Sequence, residues 1–114
     1  MSDLKKHCAY IAENLGLMVN DPDKWMEENE IEDTDWCYPM EEWFSDALDI
    51  EFAIGYDGEY RGCRIMVAYG GPNIYVDTRK GCVEGRWWGD KADVDLDRDV
   101  CDAIDEYMRE LRSF

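Results

Sequence analysis

The spacing of the apolar residues changes twice along this chain, and that change constrains the fold more than any other feature. Before about residue 50 they recur at helical spacing, from Ile50 to Trp88 they alternate, and from Val100 the helical spacing returns. A helix buries a stripe and a half-covered strand buries every second side chain, so the two periods mark different elements. Helices, then strands, then a helix is the order of an α+β chain.

Ser2 is placed to cap a first helix, with Leu4, Cys8, Ile11, Ala12 and Leu15 on one face and Gly16 ending it. Asp21-Pro22 reads as an N-cap followed by proline at the first helical position. A short helix to about Asn29 follows, with Trp25 and Met26 inward and Glu27, Glu28 and Glu30 outward. Pro39 opens a third helix, on which Met40, Trp43, Phe44, Ala47 and Leu48 share a spacing anchored by Trp36 just before it.

Ile50, Phe52, Ile54 and Tyr56 predict a strand with one buried face. The Asp-Gly of "YDGEY" turns the chain, and Cys63, Ile65, Val67 and Tyr69 alternate again. "GGPN" and "TRKG" bracket a third strand at Ile74 to Val76, and Cys82 to Trp88 makes a fourth. Asp97 caps a last helix whose Val100, Cys101, Ile104, Tyr107, Met108 and Leu111 form one stripe. Asp99 and Asp102 lie near its positive end, and Arg109 and Arg112 near its negative end. The expected fold is therefore α+β: N-terminal helices, a four-stranded antiparallel meander, and an amphipathic C-terminal helix packed on one sheet face. At 114 residues this is one domain with a modest core. Its parts are an acidic helical lobe at 20–49, a sheet at 50–90 and a helix at 97–112.

The formal net charge is -16, yet 46% of the residues are hydrophobic, which points to a packed globule and not to a solvated tail. The charge is uneven. Residues 1–19 are neutral, 20–49 carry -11, 50–90 carry -1 and 91–114 carry -4. Halophilic adaptation spreads acids over every surface, so this concentration favours a single-sign patch. Within "DPDKWMEENEIEDTDW", eight of sixteen residues are carboxylates. Trp25, Trp36 and Trp43, interleaved with the acids, are expected to tie the segment to the core. Free nucleic acid and anionic membranes are disfavoured as direct partners. A basic nucleic-acid-binding protein is favoured, with Glu27, Glu28, Glu30, Glu32, Asp33, Asp35, Glu41 and Glu42 standing in for phosphates. A solvated acidic face with no partner is the competing reading.

The five cysteines, Cys8, Cys37, Cys63, Cys82 and Cys101, are far apart and fall in apolar patterns, as reduced buried thiols do. No CxxC occurs and His7 is the single histidine, which excludes a zinc finger. No stretch has transmembrane length, and the first residues lack a signal-peptide core, so the expected compartment is the cytoplasm. "ADVDLDRDVCDAIDE" places Asp95, Asp97, Asp99 and Glu106 at calcium-loop positions. Val100 stands where that loop needs glycine, and a helix begins there. Gly70 to Gly81 lacks the following helix of a phosphate-cradling loop. No nucleophile, acid-base pair or metal motif marks an enzyme, and no cofactor is expected. Arg61, Arg64, Arg79, Lys80 and Arg86 are expected to pair with the acidic lobe, with a small anion site as the alternative. A second candidate surface is formed by Tyr75, Asp77, Trp87 and Trp88 on the sheet.

"GGPNIYVDTRKGCVEGRWWGD" followed by an acidic helix resembles small acidic proteins of phages, prophages and conjugative elements. The likeness spans roughly residues 48–112 and centres on GGPNI, leaving the acidic lobe outside. Some proteins of this kind are anti-CRISPR or antirestriction inhibitors, so the resemblance implies a mobile-element role in a bacterial host. The expected function is a non-enzymatic inhibitor of a nucleic-acid-binding defence enzyme, foremost a CRISPR effector. Alternatives are an immunity protein or antitoxin against a basic nuclease toxin, a carboxylate metal-dependent hydrolase, and an acidic scaffold domain.

Overall fold

The computed structural model describes residues 3–29 and 39–112. The first helix, α1 (Asp3–Asn20), buries Leu4, Cys8, Ile11, Leu15 and Met18. It does not stop at Gly16 as expected. Gly16 does not adopt the left-handed conformation of a helix cap, and the stripe continues to Met18, so packing outweighs the ~1 kcal/mol cost of an internal glycine. The next helix, α2 (Pro22–Glu28), starts where Asp21 accepts the Lys24 backbone N–H at 3.3 Å. It buries Trp25 and Met26. A third helix, α3 (Pro39–Phe44), is shorter than its sequence spacing suggests. The Leu48 N–H donates to the Met66 carbonyl at 2.9 Å, which draws the chain into the sheet and leaves Ala47 and Leu48 beyond the helix.

Five antiparallel strands follow in sequence order, not four: β1 (Asp49–Ile54), β2 (Tyr60–Ala68), β3 (Asn73–Asp77), β4 (Cys82–Trp87) and β5 (Asp90–Asp95). The fifth was hidden because "DKADVD" has only two apolar residues among four charges. Pairing supplies what the composition lacks, since Ala92 lies opposite Gly85 and Val94 opposite Val83. The expected class and C-terminal helix are present. That helix, α4 (Arg98–Arg112), starts after Asp97, whose carbonyl accepts the Val100 and Cys101 N–H groups, and it buries Val100, Cys101, Ile104 and Met108.

Both long helices cover the same sheet face, α1 over β4 and β5 and α4 over β2. Cys63, Ile65, Ile74, Val76, Val83 and Ala92 fill the layer between. Gly85 sets the depth of α1. A Cβ there would lie 2.6 Å from the Cys8 Sγ and 2.8 Å from the Leu4 Cδ1. This coverage corrects the expectation for β1, whose apolar face is only partly buried: Phe52 remains 36% and Ile54 42% exposed. Cys8, Cys63, Cys82 and Cys101 are free and buried, and burial pushes all four thiols up, Cys82 to about 11. Such thiols are poor nucleophiles. Cys37 and the Ser2 cap lie outside the described residues. Among the described residues, no helix is long and apolar enough to cross a membrane.

Gly85→Ala is expected to lower stability by ~1–3 kcal/mol through overpacking. Gly16→Ala, where a Cβ meets open space, is expected to raise it by ~0.5–1 kcal/mol. Urea denaturation of the two variants checks both signs.

Candidate functional site

One α1 side chain ties both described helices of the acidic lobe. The Asn14 Oδ1 accepts the Trp25 indole N–H at 3.0 Å and the Trp43 indole N–H at 2.9 Å, so α2 and α3 are tied to the same atom. Phe44 stacks on Tyr107 of α4, with centroids 6.4 Å apart, which holds α3 from the other side. Two of the three tryptophans expected to anchor the lobe therefore do so, and Trp36 lies outside the described residues. Asn14 was missed, although its signal was present: it is a polar residue between Ile11 and Leu15 on the buried stripe.

Glu27 and Glu28 are exposed in the last turn of α2, and Glu41 and Glu42 are exposed in the first turn of α3. The other four predicted contact residues, Glu30, Glu32, Asp33 and Asp35, lie outside the described residues. The positions differ electrostatically. Glu41 and Glu42 sit where the α3 dipole welcomes negative charge. Glu27 and Glu28 sit at the negative end of α2, which has no base in its last turn. Among the described residues, none of these four carboxylates is held in an ion pair.

Among the described residues, Arg61, Arg64, Lys80 and Arg86 pair with acids of the sheet and its turns, and not with the lobe as expected. On the face away from the helices, Arg64 Nη1 bridges Asp77 at 3.2 Å and Glu84 at 3.0 Å, and its guanidinium lies 4.0 Å from the Tyr75 ring centroid. Lys80 reaches Glu84 at 2.8 Å, Arg86 reaches it at 3.8 Å, and Arg61 pairs with Asp57 at 2.9 Å. Strand pairing puts Arg64 opposite Asp77 and Tyr75 opposite Glu84, so acids of the sheet lie within reach of Arg64. Burial pushes the Glu84 carboxyl up, but the hydrogen bonds from Lys80 and Arg64 outweigh it and hold Glu84 below the usual carboxylate range.

The second candidate surface does not assemble. Asp77 is buried, bonded to Arg64 and to the Arg79 and Lys80 N–H groups at 3.0 and 2.9 Å, so it builds the turn into β4. Tyr75 shares the open face with Glu84, and strand alternation puts Trp87 on the other. Trp88 projects instead. With Trp87 paired to Asp90, Trp88 and Gly89 form a two-residue hairpin loop with φ of 57° and 88°. Both values are left-handed, the type I′ pattern that favours Asn-Gly. Trp88 is the one non-glycine residue with such a φ among the described residues, and it is 93% exposed.

Asp95 ends β5, Asp97 precedes α4, and Glu106 lies seven residues beyond Asp99, ~10 Å along the helix axis. These four acids therefore do not converge. Among the described residues, no three His, Cys, Asp or Glu side chains are grouped to hold a metal ion.

Because the folded Glu84 pKa is depressed, its contribution to stability is full above the unfolded value of about 4.3 and is lost as pH falls through the folded value. The stability difference between the wild type and Glu84→Gln is therefore expected to shrink below about pH 4, as read by urea melts across pH. Trp88→Asn is expected to raise stability by ~1 kcal/mol, because asparagine tolerates the left-handed turn and tryptophan does not. Thermal denaturation reads the sign.

Comparison of the chain with protein-family models, with curated proteins and with solved structures returned no match.

Proposed function

We propose that this chain is a non-enzymatic inhibitor that binds a basic, nucleic-acid-binding protein of bacterial defence, a CRISPR effector first among them. Its α2–α3 lobe occupies the groove meant for DNA or RNA. The observation that carries this reading is the placement of Glu27 and Glu28. They are exposed at the dipole end that disfavours them, lack an ion pair among the described residues, and stand on a helix pinned through Asn14. Intramolecular stability supplies no reason for that arrangement, whereas a cationic groove does. Glu41 and Glu42 extend the same sign across α3. Because the indole bonds hold α2 and α3 before contact, these helices lose little conformational freedom on binding. Opposite charge speeds encounter and makes it salt-sensitive.

The test is competition with target DNA for guide-loaded CRISPR effectors and for a restriction enzyme. Wild-type protein is expected to displace target DNA from one of them, and more weakly as salt rises from ~50 to ~200 mM. Combined Glu27→Lys, Glu28→Lys, Glu41→Lys and Glu42→Lys is expected to lower its affinity by at least ~10-fold, on the order of 1.4 kcal/mol. Asn14→Leu, which keeps every charge but frees both indoles, is expected to weaken it less. Unchanged displacement by the charge-reversed variant would sink the mimicry. Retained target binding with lost cleavage would place the block after binding. Neutralisation of a basic nuclease toxin alone would move the partner to the immunity-protein class.

A further inference from the structure

The two edges of the sheet are built differently. At one edge, β5 carries Asp90, Lys91, Asp93 and Asp95, charges of the kind that discourage another strand from pairing. At the other edge, β1 carries two charges, Asp49 and Glu51, and its apolar row of Ile50, Phe52 and Ile54 is larger than the Ala92–Val94 row of β5. Within β1, Ile50, Phe52 and Ile54 share one face, with Leu48 just before the strand and Tyr56 in the turn after it. Leu48 is 58% exposed, Phe52 and Ile54 are exposed as noted above, and Tyr56 projects fully into solvent. Asp49 and Glu51 share the opposite face with Ala53. Among the described residues, no strand pairs with the outer side of β1.

We infer that β1 is a docking edge for an extended segment of a protein partner, in which apolar residues alternate with lysine or arginine. The segment adds antiparallel to β1 as a sixth strand. In antiparallel pairing, residues directly opposite each other lie on the same face. The partner's apolar side chains therefore extend the Ile50–Phe52–Ile54 row beyond the cover of α4, and its bases meet Asp49 and Glu51. A second copy of this chain is the wrong occupant. Each copy carries a charge of -16, and β1 against β1 brings Asp49 and Glu51 of two copies to one seam. The inference rests on β1 alone and stands or falls independently of the acidic lobe.

The probe is a capped heptapeptide of alternating valine and lysine, titrated into the isotope-labelled full chain and followed by backbone amide NMR. A control peptide of equal charge is N-methylated at alternate residues, which removes the donors of its pairing edge. The first peptide is expected to shift and protect the amides of residues 48–56, and the control is expected to leave them unchanged. Ile54→Lys, at an exposed position, and Glu51→Lys are each expected to weaken binding at least five-fold with the fold retained. The inference is overturned by equal shifts from both peptides centred on residues 21–42, by unaffected β1 amides, or by sedimentation showing that the free chain already dimerises through this edge.

Discussion

The seating of α1 on β4 depends on the missing side chain at position 85. Because Gly85 leaves room for Cys8 and Leu4, the helix lies flat over β4 and β5 and closes one side of the core. The same seating fixes Asn14, farther along the helix, as the shared acceptor for two indoles. The helices α2 and α3 thus take their position from the sheet, although no described residue between Asp21 and Phe44 belongs to a strand. The seating also leaves a margin. With α1 over β4 and β5 and α4 over β2, the apolar row of β1 is the last to be covered and remains partly bare.

Charge is segregated by the same architecture. A sheet with one open face presents its polar side chains to one another at cross-strand distance, so its bases find acids locally. Arg64, Lys80 and Arg86 converge on Glu84, which is only 5% exposed, and Arg64 also holds Asp77. Breaking such a group would strand a buried carboxylate, so it is a structural device. The lobe has one base, Lys24, against twelve acids in residues 20–49. It has no equivalent local neutralisation among the described residues. Its uncompensated charge is therefore available to an external cation.

Three peripheral features run against stability in different ways. Two glutamates oppose a helix dipole, a tryptophan occupies a left-handed turn, and the apolar row of an edge strand stays partly exposed. The core shows no such conflict. Its stripe on α4 is continuous, its thiols are protonated, and among the described residues every fully buried side-chain N or O atom has a hydrogen-bond partner. Among the described residues, the broken local rules lie at the surface, around a consistent core.

Periodicity and chain punctuation were enough to read much of this fold. The α4 stripe, the Asp21-Pro22 start of α2, the first four strands and the inward Trp25 follow from local spacing, because a helix face and a strand face impose their periods on any sequence that folds as one. The charge of the lobe was equally legible, since it is a property of composition. What the sequence left open involves residues that meet only after folding. Ala92 and Val94 became a strand because Gly85 and Val83 lay beside them. Asn14 became a double acceptor because Trp25 and Trp43 arrived from two different helices. Arg64 met Asp77 and Glu84 because strand register brought them within hydrogen-bond reach. The sequence alone determined which residues are apolar, acidic or turn-forming. The tertiary structure decided which of them are neighbours, because long-range register and the room at one glycine are not encoded in any local pattern.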